Sequence, residues 1–149
     1  MMRKATMLIG LALLGGNASA MEGKSIFEAN CAACHQPDGA GSAGLAPPLL
    51  GTLGKRVGSP VGRQYLTGVL ISGMAGRLVS KGVTYNGAMP NWQQFSDAEL
   101  AGVANYVLST FNGPELAADH QPLTAEEFAA MRANKPSGKQ LRAWRSETD

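Results

Sequence analysis

The 149-residue chain predicts an all-α fold: three to four helices joined by glycine-rich loops, with a helical extension at the C-terminus. Three observations predict it. Apolar residues recur at three- to four-residue spacing in separate segments. Two of those segments open on a capping box. No stretch carries a competing strand pattern.

The first helix is predicted from about Gly23 to Ala33, where Ile26, Phe27, Asn30 and Cys31 fall at helical spacing. Gln36 to Leu53 reads as loop, punctuated by Gly39, Gly41, Gly44, Pro47, Pro48 and Gly51. Ser59-Pro60 starts a second helix, because proline is tolerated in the first turn. Tyr65, Leu66, Val69 and Leu70 continue it until Gly73, and Gly76 to Trp92 is expected to be irregular. Ser96 and Glu99 form a capping box that opens a third helix, with Leu100, Val103, Ala104 and Val107 on one face. Asn112-Gly113-Pro114 stops it.

The C-terminal segment repeats the pattern. Thr124 and Glu127 make another capping box, flanked by Leu123 and Phe128 as a hydrophobic staple. Met131 extends that face and Asn134 to Pro136 ends the helix. Ser137-Gly138 begins a further short one carrying Leu141 and Trp144. Apolar residues so placed predict a tail that packs on the body of the protein or on a partner subunit.

Ahead of all this, Arg3 and Lys4 precede an apolar run from Ala5 to Leu14 and a small-residue stretch ending Ala18-Ser19-Ala20. That is the layout of a secretory signal peptide cleaved after Ala20. The run is too short to span a membrane, which takes about 20 residues, and nothing later is long and apolar enough. Three parts follow: a signal at 1–20, a main domain at 21–113 and an extension at 114–149. The mature chain is expected in an oxidising compartment, a bacterial periplasm, without a membrane span.

Charge excludes some functions. The whole chain has 13 basic and 11 acidic residues, but Arg3 and Lys4 leave with the signal, so the mature chain has 11 of each. No nucleic-acid footprint is present. From Gly39 to Ser96 there is no Asp or Glu, while Lys55, Arg56, Arg63, Arg77 and Lys81 all fall inside. This predicts a locally positive face that steers toward an acidic patch on a partner.

The most informative stretch is Cys31-Ala32-Ala33-Cys34-His35. A thioredoxin-like pair would need a βαβ setting, which is missing. A zinc site would need about four ligands, yet these are the only two cysteines and the other histidine, His120, lies far along the chain. The spacing is that of c-type haem attachment. Cys31 and Cys34 would form thioethers to the porphyrin, and His35 would bind the iron through Nε2. Both thiols are then consumed, so no disulfide is expected. With 19 glycines, 8 prolines and 6% aromatics the apolar core is thin. Burial of a porphyrin face at about 25 cal/mol per Å² would complete it. The haem-free chain is expected to be largely unfolded.

A second motif is Tyr85-Asn86-Gly87-Ala88-Met89-Pro90. A thioether suits haem iron across from histidine, and His/Met ligation raises the reduction potential. Met89 would descend from a loop, with Gly87 allowing close backbone approach to the porphyrin and Pro90 fixing the chain after it. Met74 and Met131 are set aside, because Met74 closes a predicted helix and Met131 lies inside another.

On these residues the chain resembles the class I bacterial cytochromes c of the small monohaem type. The likeness covers roughly Gly23 to Phe111: the Cys31–His35 motif, Gly39-Ala40-Gly41, Pro47 to Gly51, Tyr85 to Pro90 and the Leu100–Val107 helix. It implies three to four helices wrapped around one covalently attached haem. It implies that the Pro47 carbonyl accepts from His35 Nδ1–H, and that the first helix crosses the last near Gly23 and Phe27, against Tyr106. Tyr85, Asn86, Trp92, Lys55 and Arg56 are then candidates for ordering the propionates.

With both axial positions filled, no open metal site is left for a substrate, and single-electron carriage is the expected function. Tailed domains of this kind resemble the cytochrome subunits that accompany periplasmic dehydrogenases. A dehydrogenase donor and a cytochrome or oxidase acceptor in the respiratory chain are the expected partners. Two alternatives stay open: a haem enzyme of the peroxidase or thiosulfate-oxidising type, and a gas-sensing haem domain. Both need a labile sixth ligand.

Overall fold

The computed structural model describes residues 16–149, with side chains from Met21 onward. The apolar run of the expected signal lies outside the described residues, and its expected cleavage point falls within the first helix. Six helices follow in order: α1 (Gly16–Asn30), α2 (Ala32–His35), α3 (Pro60–Ser72), α4 (Asp97–Asn112), α5 (Ala125–Ala133) and α6 (Gly138–Glu147). The first predicted helix is divided in two. Cys31 departs to φ −108°, and the amides of Cys34 and His35 then turn back onto its carbonyl.

Local signals act where the sequence places them. The Ser59 side chain accepts from the Gly62 amide at the head of α3. Ser96 with Glu99, and Thr124 with Glu127, close complete capping boxes on α4 and α5. Each satisfies amides that a helix start leaves without partners.

The segment expected to be irregular contains four short strands instead. They are β1 (Met74–Ala75), β2 (Leu78–Ser80), β3 (Val83–Tyr85) and β4 (Ala88–Met89). β2 pairs with β3 and β1 with β4, both antiparallel. Strands of two or three residues are too short to show a period-two pattern. The hairpin turn is nonetheless explicable: Lys81 (φ 48°) and Gly82 (φ 77°) both take positive φ, as a two-residue type I′ turn requires.

The core lies where α1 crosses α4. A Cβ on Gly23 would stand 2.3 Å from the Gly102 carbonyl oxygen, so the two backbones touch. One turn on, the fully buried Phe27 ring packs against Tyr106 and Phe111, with centroids 5.6 and 5.2 Å away. Asn112, also fully buried, ends α4 by accepting at Oδ1 from the amides of Thr52, Leu53 and Gly54. One side chain thereby anchors the long loop.

The extension packs on this body. Leu123, Phe128 and Leu141 are buried to 2% exposure or less. Asn105 on α4 exchanges two 2.8 Å hydrogen bonds with the Leu123 backbone. Arg132 on α5 pairs with Asp97 and donates to the carbonyls of Gln93 and Phe95. α6 lies against α3 at Gly68, where a Cβ would come within 2.9 Å of Leu141.

Candidate functional site

The turn that follows α1 carries the two thiols and the imidazole. Cys31 is half-buried and Cys34 exposed, and neither is in a disulfide. Burial, then the neighbouring Cys34, pushes the Cys31 thiol up to about 11. His35 is buried, with Nδ1 3.0 Å from the Pro47 carbonyl oxygen. Burial lowers its pKa, with the Pro47 carbonyl acting against that. A carbonyl can only accept, so Nδ1 carries a proton toward Pro47, and in the neutral ring the Nε2 lone pair is then free, the form a metal needs.

The loop after His35 is held tightly. Gly41 donates its amide to the His35 carbonyl, and Ser42 Oγ donates to the Cys34 carbonyl at 2.7 Å. Gly41 sits at φ 79°, and a Cβ there would be 2.5 Å from the Ala46 carbonyl oxygen. Glycine is required at that position on both counts.

Cys31, Cys34 and His35 open onto one cavity, and Met89 from β4 lines the same space. Its walls are apolar: Phe27 from α1, Leu53 from the loop, Leu66 and Leu70 from α3, Val103 and Val107 from α4. The Pro47 backbone completes the rim beside His35. A flat apolar group with soft and imidazole donors at its centre fits such a lining. Trp92 also lines the cavity, and its buried Nε1 has no acceptor among the described residues. A buried donor left without a partner in a mostly apolar wall fits the carboxylate of a haem propionate.

The other sequence candidates are spread out. Tyr85 is buried in the β2–β3 ladder opposite Leu78, and Asn86 is exposed with its amide on the Gly44 carbonyl. Neither is among the residues lining the cavity. Lys55 is exposed, whereas Arg56 is buried and pairs with Asp149 at the C-terminus. Arg63 is paired with Glu127. Two of the five cations in the acid-free stretch are therefore turned toward the extension. Gly87 lines the cavity and has a further reason to be glycine: a Cβ there would lie 2.1 Å from the Leu45 carbonyl oxygen. It lets two rim loops join.

Met74 and Arg145 are among the wall residues that sequence reading missed. Met74 follows α3 rather than closing it, and lines the cavity from β1. Arg145 reaches the cavity from α6, donating to Tyr65 Oη at 3.1 Å and to the Val79 carbonyl at 3.0 Å. The available signal for Arg145 was its place four residues after Leu141, on the face expected to pack.

A helical chain that brings a Cys-x-x-Cys-His turn and a methionine to one apolar cavity defines a c-type haem protein. Residues 20–111 match the family described as Cytochrome c. A cytochrome c-552 of Thermus thermophilus is 36% identical over 140 residues, covering 94% of this chain and 95% of that one. A second Thermus thermophilus cytochrome c-552 is 36% identical over 126 residues, covering 85% and 95%. A Cbb3-type cytochrome c oxidase subunit CcoP from Cereibacter sphaeroides is 34% identical over 93 residues, which is 60% of this chain and 27% of that protein. The chain belongs to the cytochrome c family, as a class I c-type cytochrome with the helical fold of that class. It is an electron-carrying haem protein. No helix among the described residues is long and apolar enough to cross a membrane.

Proposed function

We propose that the chain is a periplasmic monohaem cytochrome that passes single electrons from a dehydrogenase toward a cytochrome or oxidase of the respiratory chain. In this reading residues 1–20 are an export signal, 21–113 the haem domain and 114–149 an extension that braces it. The observation that carries the reading is the convergence of His35 and Met89 on one apolar cavity whose rim holds Cys31 and Cys34.

Each residue then has a task. Cys31 and Cys34 hold haem c through thioethers, so that it is retained through every redox cycle. His35 supplies Nε2 to the iron, and its Nδ1–H on Pro47 keeps the ring from turning. Met89 would hold the iron through its thioether sulfur, a donor that favours the reduced state. Bound haem c supplies a reversible one-electron couple. The apolar side chains exclude water and disfavour net charge at the centre. Trp92 Nε1 and Arg145 place a hydrogen-bond donor and a cation on the wall, where anionic groups of the porphyrin are best met.

Similarity to a protein named as an oxidase subunit supports an oxidase or its cytochrome as the acceptor class. The dehydrogenase donor rests on the resemblance of tailed haem domains to dehydrogenase subunits. Intact mass of periplasmic protein tests the attachment: the expected mass is the chain from Met21 plus one haem, and the bare polypeptide mass would refute it. Carbon monoxide tests the carrier function. Slow or absent binding to the reduced protein is expected of a carrier. Rapid stoichiometric binding would move the assignment to a haem enzyme or gas sensor.

A further inference from the structure

Met74 and Met89 are direct partners in the β1–β4 ladder, and both line the cavity. Directly opposed residues of an antiparallel pair project to the same face, with Cβ atoms about 4.5–5.5 Å apart. Two thioethers therefore enter the cavity side by side. Backbone contacts on both sides support this register. A Cβ on Gly73 would stand 2.6 Å from the Met89 carbonyl oxygen. The Gly76 amide donates to the Gly87 carbonyl, and the Trp92 amide donates to that of Leu70 at 2.9 Å.

The two sulfurs differ in their company. Arg145 Nη1 lies 3.1 Å from Tyr65 Oη, and a guanidinium can only donate. Tyr65 accepts there, which leaves its own proton for Met74 Sδ at 3.8 Å. A lone pair engaged by a hydroxyl is less available to a metal. Met89 Sδ has no hydrogen bond among the described residues, so it is the stronger donor of the two. Met74 is nonetheless buried, soft and adjacent.

We propose that Met74 is a second thioether donor toward the haem iron, one that takes the sixth position when the Met89 sulfur is withdrawn. The proposal rests on the reading of Met89 as the usual sixth ligand. The exchange moves no electrons: the iron–sulfur bond to Met89 breaks, that to Met74 forms, and the Tyr65 proton stays on its oxygen. A cytochrome whose Met89 is displaced thus remains closed to external ligands.

The experiment uses haem-loaded full-length protein with Met89→Leu, Met74→Leu and both together, and leucine nearly preserves volume. Two readouts serve: the ferric thioether-to-iron charge-transfer band and carbon monoxide affinity of the reduced form. Met89→Leu is expected to keep the band, and the double variant to lose it. If Met74 holds the iron about nine-tenths of the time, Met89→Leu binds carbon monoxide roughly tenfold more weakly than the double variant. Adding Tyr65→Phe to Met89→Leu frees the Met74 sulfur and is expected to weaken carbon monoxide binding further. A Met89→Leu protein indistinguishable from the double variant would overturn the proposal while leaving Met89 as sixth ligand. Loss of the band in Met74→Leu alone would overturn both assignments.

Discussion

Arg63 on α3 grips Glu127 on α5 through two parallel hydrogen bonds, Nε to Oε1 and Nη2 to Oε2, each 2.7 Å. The same guanidinium donates to the carbonyls of Gln121 and Pro122. One side chain of the haem domain thus fixes both the connector and the first helix of the extension. Geometry of this forked kind is what raises an ion pair above the small value typical of exposed pairs.

The pair carries a pH dependence. Burial acts to raise the Glu127 pKa, but the Arg63 hydrogen bond, the Thr124 amide and the Arg63 charge together bring it below the ordinary value of 4.5. A carboxylate depressed in the folded state adds stability above that value, and the increment is lost as pH falls through the depressed pKa. Unfolding of Glu127→Gln should therefore fall short of wild type near neutral pH, and the gap should close in acid. A gap unchanged down to about pH 3 would contradict the assignment.

Asn112 is predicted to be the costliest polar residue to lose. Its Oδ1 serves three successive amides of the Thr52–Gly54 turn, and the side chain is fully buried. Asn112→Ala leaves buried donors unpaired, at about 2–3 kcal/mol. Denaturant unfolding of the haem-loaded protein measures this. Leu53, held by that turn, lines the cavity, so the same variant should bind carbon monoxide faster than wild type.

Gly23→Ala probes the helix crossing. The new methyl would stand 2.3 Å from the Gly102 carbonyl oxygen, a backbone atom that cannot rotate aside. Overpacking of this kind costs about 1–3 kcal/mol. The midpoint of denaturation should drop accordingly, with the haem still covalently present by mass. An unchanged midpoint would mean that α1 and α4 pack further apart.

Arg145→Gln tests the contribution of the extension to the haem couple. Arg145 places a cation on the cavity wall, and a nearby positive charge opposes the extra positive charge of the ferric state. The variant should have a lower reduction potential. A potentiometric titration that overlays wild type would show that the charge is screened from the iron.

The legible parts of this protein are those written in short range. Cys31-Ala32-Ala33-Cys34-His35 is a covalent spacing rule, and Ser96 with Glu99 or Thr124 with Glu127 obeys a local hydrogen-bonding rule within one turn. The place of Met89 on the cavity wall was legible because a glycine and a proline bracket it. The strands between Met74 and Met89 were not, since two-residue ladders have no period to read.

Read alone, the chain shows a haem-attachment spacing and the starts of α3 to α6, because those depend on neighbours within a few positions. Only the tertiary structure decided that Met74 stands beside Met89, that Arg145 reaches the cavity from α6, and that Arg56 and Arg63 face the extension. Those contacts join segments separated by up to about 90 residues along the chain, and no local rule of spacing extends that far.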